Sequence, residues 1–311
     1  MRVLALVPGG VERQLEFFPV LREIKAAFGG AEVAVVVDPK AKDVYQLSKA
    51  VSEVVPYSFE ASNSPADWAN LLGILRDREF EAVLTLTESW SIGLLLWLSG
   101  IPTRMGYGGG SNDWFLTTLI PRSSSPTEDY TAFLKALNIK VPLASPSLNV
   151  PQADLNTVDA LRQGARLQGG YVAVYPGTTP GGDSYPTAQW VTILKDFQTR
   201  QPDLPLVLLQ TDDDTVANNA ALCQALPGLT VLEPETMGQL AALIAGANLL
   251  VAIQGYPVAL AAALGVYTVA LSAAPLATPA GGEDRFVNVA APSGQLADLD
   301  SATVLSTIWK G

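Results

Sequence analysis

The 311-residue chain has 19 Lys and Arg against 30 Asp and Glu, and the resulting formal charge of −11 argues against nucleic acid as a partner, because phosphate-backbone binding needs a basic surface. It contains no histidine, which excludes Ser–His and Cys–His catalysis, imidazole bases and histidine-ligated metal sites. Its one cysteine, Cys223, rules out an internal disulfide framework and points to a cytosolic setting; within the helix-like run NNAALCQAL it is expected as a buried structural thiol.

In the N-terminal half, RVLALV (2–7) is a continuous apolar run of strand length and breaks at Pro8-Gly9-Gly10. That break marks a first strand rather than a signal peptide, whose apolar region would be longer and followed by a small-residue cleavage site. Helical spacing follows over 15–28, closed by Gly29-Gly30. A buried strand is predicted at 31–38, a helix near 44–50, a short strand at 54–56 and a helix at 66–78. A strand at 81–87 and a strongly apolar helix at 88–100 complete the regular part. The stretches 104–114 and 121–130 are rich in turn formers, and a helix is predicted over 127–139. Three prolines and two serines within 141–154 mark an interdomain linker.

Alternation then resumes. Helices are predicted at 155–167, 188–200, 215–226 and 237–247, and strands at 171–177, 204–210, 230–232 and 248–253. A further helix follows the turn in AIQGYPVALAAALG (252–265), then a strand at 267–272 and a terminal helix at 299–311. Strand–helix alternation of this kind specifies parallel sheets covered by helices on both faces. Two Rossmann-like domains facing each other across a cleft are the expected architecture, with ligand at the carboxyl ends of the strands. The apolar zone 240–280 is interrupted by Asn248, Gln254, Gly255, Pro257 and Pro275, so no clean run of ~20 apolar residues signals a membrane span. Peripheral membrane association stays open.

Four segments in order carry a resemblance. The opening MRVLALVPGGVERQLEFFPVLREIKAAF keeps a Pro19-Val20-Leu21-Arg22 helix, and WLSGIPTRMGY (97–107) has the pattern Leu-Ser-Gly-x-x-x-Arg-x-Gly-Tyr. VYPGTTPGGDSYP (174–186) looks like a Pro-Gly-Ala/Thr loop leading to Gln189-Trp190, and 240–275 follows a segment built on Asp-Ser/Thr-Gly-Pro-x-His-x-Ala-x-Ala-Leu-Gly. Together they resemble glycosyltransferase family 9, the ADP-heptose:lipopolysaccharide heptosyltransferases, over nearly the whole chain. The resemblance implies a GT-B fold, with an acceptor-side domain over 1–145 and a nucleotide-sugar-side domain over 146–311. It allows the last helix to pack back on the first domain. It also implies metal-independent, inverting transfer of a hexosyl or heptosyl group to a glycan or lipid acceptor, no cofactor, and a cytoplasmic site, conceivably at the inner face of a membrane.

The functional positions depart from the family pattern. The family's first-turn Asp, its expected general base, falls on Arg13, and Glu12 replaces the Gly before it. The phosphate-holding Lys of the second motif falls on Asp183. In the third motif Gln254, Gly255, Tyr256 and Ala259 stand for Asp, Ser/Thr, Gly and His, and Pro257 alone is kept. Arg13 cannot accept a proton at neutral pH, so an active enzyme would recruit Glu12, Glu16 or Asp183. Gly9, Gly10 and Arg13 form the candidate acceptor loop. Gly177, Thr178, Thr179, Ser184, Glu233, Gln254, Gly255, Tyr256 and Pro257 form the candidate nucleotide site, Glu233 by resemblance to a ribose contact.

Plainer readings stand beside these. Gly9-Gly10 can be a tight strand-to-helix turn, Arg13 a solvated or ion-paired arginine rather than one that binds an acidic group in the cleft, and Thr178-Thr179-Pro180-Gly181-Gly182 an ordinary loop. Thr211-Asp212-Asp213-Asp214 suits a helix cap better than a metal site, and no metal is expected. Trp90, Trp97 and Trp190 read as helix-face core residues. Two functions follow: a nucleotide-sugar-dependent glycosyltransferase, or an inactive descendant that binds a protein partner or a nucleotide-like ligand. A GT-B epimerase lacks its His and carboxylate signature.

Overall fold

A computed structural model of the chain describes residues 1–59, 63–123, 126–179, 181–211, 213–279 and 284–309, the side chains of 126–128, 213 and 214 apart. The chain divides into two compact units, Met1–Ser147 and Leu148–Gly311.

Unit 1 consists of β1 (Arg2–Val7), α1 (Val11–Ala27), β2 (Glu32–Val37), β3 (Glu53–Pro56), α2 (Pro65–Asp77), β4 (Ala82–Thr85), α3 (Trp90–Ser99), β5 (Thr103–Tyr107), β6 (Thr118–Ile120) and α4 (Pro126–Ala136). Its six strands are all parallel, in the order β3-β2-β1-β4-β5-β6. RVLALV and EVAVVV form the centre because their β-branched and aliphatic side chains are buried on both faces of the pleat. Leu4, Leu6, Ala34, Val36 and Val83 meet Leu71 and Leu75 of α2 and Ile92, Leu95 and Leu96 of α3 in one core layer. Helices α1 and α4 pack together, and Phe17, Leu21, Ile24, Phe133 and Leu134 are buried with them.

Unit 2 repeats this plan with α5 (Gln152–Gly164), β7 (Val172–Tyr175), α6 (Thr187–Arg200), β8 (Leu206–Leu209), α7 (Asp213–Ala225), β9 (Thr230–Leu232), α8 (Met237–Ala245), β10 (Leu249–Ile253), α9 (Tyr256–Ala263), β11 (Thr268–Ser272), β12 (Phe286–Ala290) and α10 (Ser301–Ile308). The order β12-β11-β10-β7-β8-β9, again all parallel, is that of unit 1. In each sheet the order reverses beside the first strand, between β1 and β4 and between β7 and β10. The loops leaving those strands flank the crevice where open α/β sheets bind ligands.

The structure departs from the sequence expectation where strands are short or polar. β5 and β6 lie within or beside the turn-rich stretch around 104–123, and FVNVA forms β12. None has an apolar run of its own; neighbouring strands supply their pairing, and Asn288 of β12 also donates to Ala270 O at 3.1 Å and Ser272 Oγ at 2.8 Å. The helix expected near 44–50 is a single 3₁₀ segment, Lys42–Leu47. Helix α1 begins at Val11, four residues earlier than the apolar spacing suggests, so Glu12 and Arg13 belong to its first turn.

Trp190 is 1% exposed and lies in the unit 2 core, but Trp90 and Trp97 are 53% and 55% exposed. Helix α3 is apolar on every side, so periodicity alone does not tell which face turns inward; Ile92, Leu95 and Leu96 take the core positions. Cys223 is only partly buried, against the unit 2 core. Helix α10 rests on α6 and β12, where Val304 is buried with Leu305, Ile308 and Trp309 around it, so its apolar side is occupied within unit 2.

Candidate functional site

At the carboxyl end of β1 the chain turns sharply through Gly9, whose φ of +104° favours glycine. The turn is held from inside by Gln14, a fully buried residue of α1. Its Nε2 donates to Val7 O and Gly9 O, both at 3.0 Å, and its Oε1 accepts from the Tyr45 hydroxyl at 2.6 Å. Burial raises the Tyr45 hydroxyl well above the ordinary tyrosine range, which fixes it as a donor. Gly10 caps α1 with extended backbone and no side-chain bond.

Glu12, Arg13 and Glu16 converge with that turn. The Glu12 carboxylate folds back over Gly10, and the Arg13 chain lies over Gly9, its Cδ 3.2 Å from where a Cβ would stand. The Arg13 Nε is buried with no hydrogen-bond partner. Tyr130 of α4 interacts electrostatically with both Arg13 and Glu16. Loss of surrounding water raises the Glu16 carboxyl above the usual glutamate range; Arg13 opposes this, Glu12 adds to it, and the Tyr130 hydroxyl opposes it. Burial, reinforced by Asp129, pushes the Tyr107 hydroxyl at the end of β5 up to about 12. The Arg122 guanidinium sits 4.5 Å above the Tyr107 ring and pairs with Glu88. The end of this sheet therefore gathers the acids Glu12, Glu16, Glu88 and Asp129, the arginines Arg13 and Arg122, and the tyrosines Tyr107 and Tyr130.

In unit 2, Gly177, Thr178 and Thr179 follow β7, with Asp183 and Ser184 returning beside them. Thr178 and Ser184 form an antiparallel bridge, Thr179 N donates to Asp183 O at 2.8 Å, and Asp183 N donates to Thr179 Oγ1 at 3.1 Å. Thr179 is buried and its hydroxyl holds the loop; Asp183 and Ser184 are exposed. Asn218 of α7 ties the same loop by donating to Pro176 O at 2.5 Å. Pro180, Asp212 and the side chains of Asp213 and Asp214 lie outside the described residues, and Thr211 N bonds Thr215 Oγ1 at 2.8 Å.

At the carboxyl end of β7 the buried Tyr175 ring lies over Gly177. A Cβ on Gly177 would stand 2.7 Å from Cε1 and Cζ of that ring, so only glycine fits beneath it. Tyr256, the first residue of α9, packs edge-on against Tyr175 with centroids 6.2 Å apart. Gly255 caps α9 and Pro257 occupies its first turn, while the Gln254 amide is held by Leu271 O at 2.8 Å. The structure thus brings Gly177, Thr178, Thr179, Asp183 and Ser184 together in one loop and Gln254, Gly255, Tyr256 and Pro257 in the turn beside it. Glu233 ends β9, beyond β8, three strand spacings from β10 or ~14 Å, and accepts from Gln210 Nε2. No lysine or arginine occurs in the segments leaving β7, β8, β9 and β10 (176–186, 210–212, 233–236 and 254–255). Among the described residues no cluster of three His, Cys, Asp or Glu could hold a metal ion, and no helix is long and apolar enough to cross a membrane.

Sequence reasoning missed Gln14, Tyr130 and Tyr175. A polar residue inside the apolar stripe of α1 is a signal for the first; nothing in the sequence around the two tyrosines singles them out.

Two parallel six-stranded sheets of identical order, each wrapped by helices, define an α/β protein with the GT-B type of fold. The family model for glycosyltransferase family 9 (heptosyltransferase) matches residues 68–304, and the chain belongs to that family. Among solved structures it is similar to Escherichia coli ADP-heptose lipopolysaccharide heptosyltransferase II, at 20% identity and a TM-score of 0.79, covering 100% of this chain and 98% of that one. A family 9 glycosyl transferase from Veillonella parvula matches at 14% identity and a TM-score of 0.85, covering 99% and 96%. E. coli heptosyltransferase WaaC with ADP matches at 17% identity and a TM-score of 0.78, covering 100% and 97%. Among curated proteins, the Arabidopsis thaliana chloroplastic photosynthetic NDH subunit of subcomplex B 1 is 29% identical over 85 residues, 27% of this chain and 18% of that protein.

Proposed function

We propose that this chain is a family 9 protein that has kept the nucleotide-sugar frame and lost the transfer reaction, acting as a non-catalytic binding or structural subunit. The observation that carries this reading is the Tyr175–Tyr256 pair packed at the mouth of the β7/β10 crevice. A diphosphate held there would meet tyrosine rings and no cation, with Asp183 as the nearby charge. Each cation at about 5 Å contributes roughly 1–3 kcal/mol at intermediate dielectric, and a carboxylate in its place reverses the sign. Arg13 in the base position removes a further ~10²–10⁴ in rate. The Arabidopsis relative, named as a subunit of a subcomplex, supports the subunit reading.

A second reading, nucleotide binding without transfer, is favoured by the partly exposed Tyr256, whose ring suits stacking on a base. Calorimetry and thermal shift against ADP-, UDP- and GDP-sugars, with turnover followed in parallel, separate the two. Silence at millimolar ligand is expected of a structural subunit, and binding without turnover of the second reading. Donor turnover at the rate of a working transferase, abolished by Glu12→Gln, Glu16→Gln or Asp183→Asn, overturns both.

A further inference from the structure

The outward side of α3 is the least expected surface of unit 1. Trp90, Leu94, Trp97 and Leu98, spaced i, i+4, i+7 and i+8, share one helix face. Trp90, Trp97 and Leu98 are 53%, 55% and 38% exposed, and Leu94 is half-buried. The stripe is widened from both sides. Trp68 of α2 packs edge-on against Trp90 at 6.2 Å, and the 3₁₀ turn Asp113–Phe115 presses on Gly93, where a Cβ would stand 2.9 Å from the Phe115 ring. That turn holds up Trp114, 93% exposed. The three exposed indoles alone offer roughly 500 Å², taking ~250 Å² for a whole side chain, which is at the upper end for a monomer's largest apolar patch.

Charge is arranged along this stripe with opposite signs at its two ends. At the start stands Asp67, beside Trp68, while Glu88, just before the Ser89 cap of α3, is already paired with Arg122. At the end stands Arg76 of α2, whose Nη2 donates to Leu98 O at 2.9 Å. The neighbouring Asp77 is turned away, into a hollow lined by Arg2, Glu32 and Arg78. A surface that is apolar along its length, acidic at one end and basic at the other is complementary to itself when one copy is reversed.

The geometry points to a two-fold dimer of this chain in which α3 packs antiparallel on α3 of a second copy, with the axis beside Leu94. Trp90 of each copy then meets Trp97 of the other, and Asp67 approaches the Arg76 end of the partner helix. Two-fold pairing uses the same patch on both copies. The indoles of two copies bring about 1,000 Å² together, and the leucines with Trp68 raise this towards the ~1,200–2,000 Å² of stable interfaces. Opposed helix dipoles favour the antiparallel sense. The inference goes beyond the proposed function and holds whether or not the chain transfers sugar.

Analytical ultracentrifugation of the full chain between 1 and 100 μM tests it, with unfolding midpoints and near-ultraviolet dichroism as controls for folding. The expected species has twice the 32.8 kDa mass, and Trp97→Glu and Trp90→Glu each raise the dimer Kd at least ~30-fold. Should either fail to fold, Trp97→Ser and Trp90→Ser serve instead. Arg76→Glu alone weakens the dimer several-fold, and Arg76→Glu with Asp67→Lys restores it. A chain that stays monomeric at 100 μM, or a dimer indifferent to both tryptophan variants, overturns the proposal. A monomer that floats with phosphatidylcholine vesicles through Trp90 and Trp97 overturns it in favour of a lipid surface. Failure of the charge swap to restore the dimer overturns the antiparallel pairing.

Discussion

Replacing Gln14 by Leu tests the central claim about unit 1, that one buried amide holds the β1–α1 turn. The side chains are close in volume, so packing changes little, but three hydrogen bonds disappear. The Tyr45 hydroxyl loses its acceptor at a residue only 4% exposed, and the carbonyls of Val7 and Gly9 lose their donor. A buried polar group left unpaired costs about 1–3 kcal/mol; with the two carbonyls at the low end, the total is about 3–4 kcal/mol. For a unit of this size that lowers the melting temperature by about 10 °C. Tyr45→Phe alone leaves only the Gln14 Oε1 unpaired and costs about 1–2 kcal/mol. In the double variant the hydroxyl is gone as well, so the combined loss falls short of the sum by about 1 kcal/mol. Thermal unfolding followed by fluorescence, with hydrogen exchange at the α1 amides to assign the transition to unit 1, gives the four corners of the cycle. Additive losses, or a Gln14→Leu chain that melts within 2 °C of the parent, would refute the role assigned to Gln14.

Gly238→Ala is expected to cost at least about 2 kcal/mol, because the new Cβ would stand 2.0 Å from Asp154 Oδ2 and drive that buried carboxylate off the Thr236 hydroxyl at 2.8 Å; adding Asp154→Ala, which clears the space, recovers part of the loss in denaturant titrations. The raised pKa of Glu16 means that the folded chain keeps a proton the unfolded chain releases at its ordinary value of 4.5, so this group makes stability fall as pH rises above 4.5 towards the folded value. Glu16→Gln removes that slope, which melting curves at successive pH values detect as a variant gaining on the parent through the same window.

Strand-by-strand, the centre of each sheet was legible because RVLALV, EVAVVV and LLVAI are buried on both faces and need no partner to be recognised. β5 and β12 were not, since TRMGY and FVNVA owe their pairing to the strands beside them. The start of α1 was misjudged for a related reason: Glu12 and Arg13 break the apolar spacing, yet Gly10 O already accepts the Gln14 amide at 3.3 Å. Trp90 and Trp97 mark the limit of periodicity itself. A helix apolar all round has no hydrophobic side to read, so only the packing of Ile92, Leu95 and Leu96 reveals which residues face water.

The candidate sites show a sharper division between frame and chemistry. Turn positions could be located from sequence because a strand end followed by Gly-Gly, or by Gln-Gly-Tyr-Pro, fixes where the backbone must bend. What the side chains do there depends on partners far along the chain. Tyr175 looks like the last residue of a buried strand, but its ring turns over Gly177 and meets Tyr256, 81 residues on. Arg13 looks like a lost base in isolation, but its charge acts on Tyr130 and Glu16 and its Nε is left buried without a partner. An ordinary surface arginine would turn all its donors to water, because a buried, unbonded nitrogen costs free energy. The cation is therefore held over the β1 turn by its surroundings, and a replacement at position 13 is tested best by whether Tyr130 and Glu16 move with it.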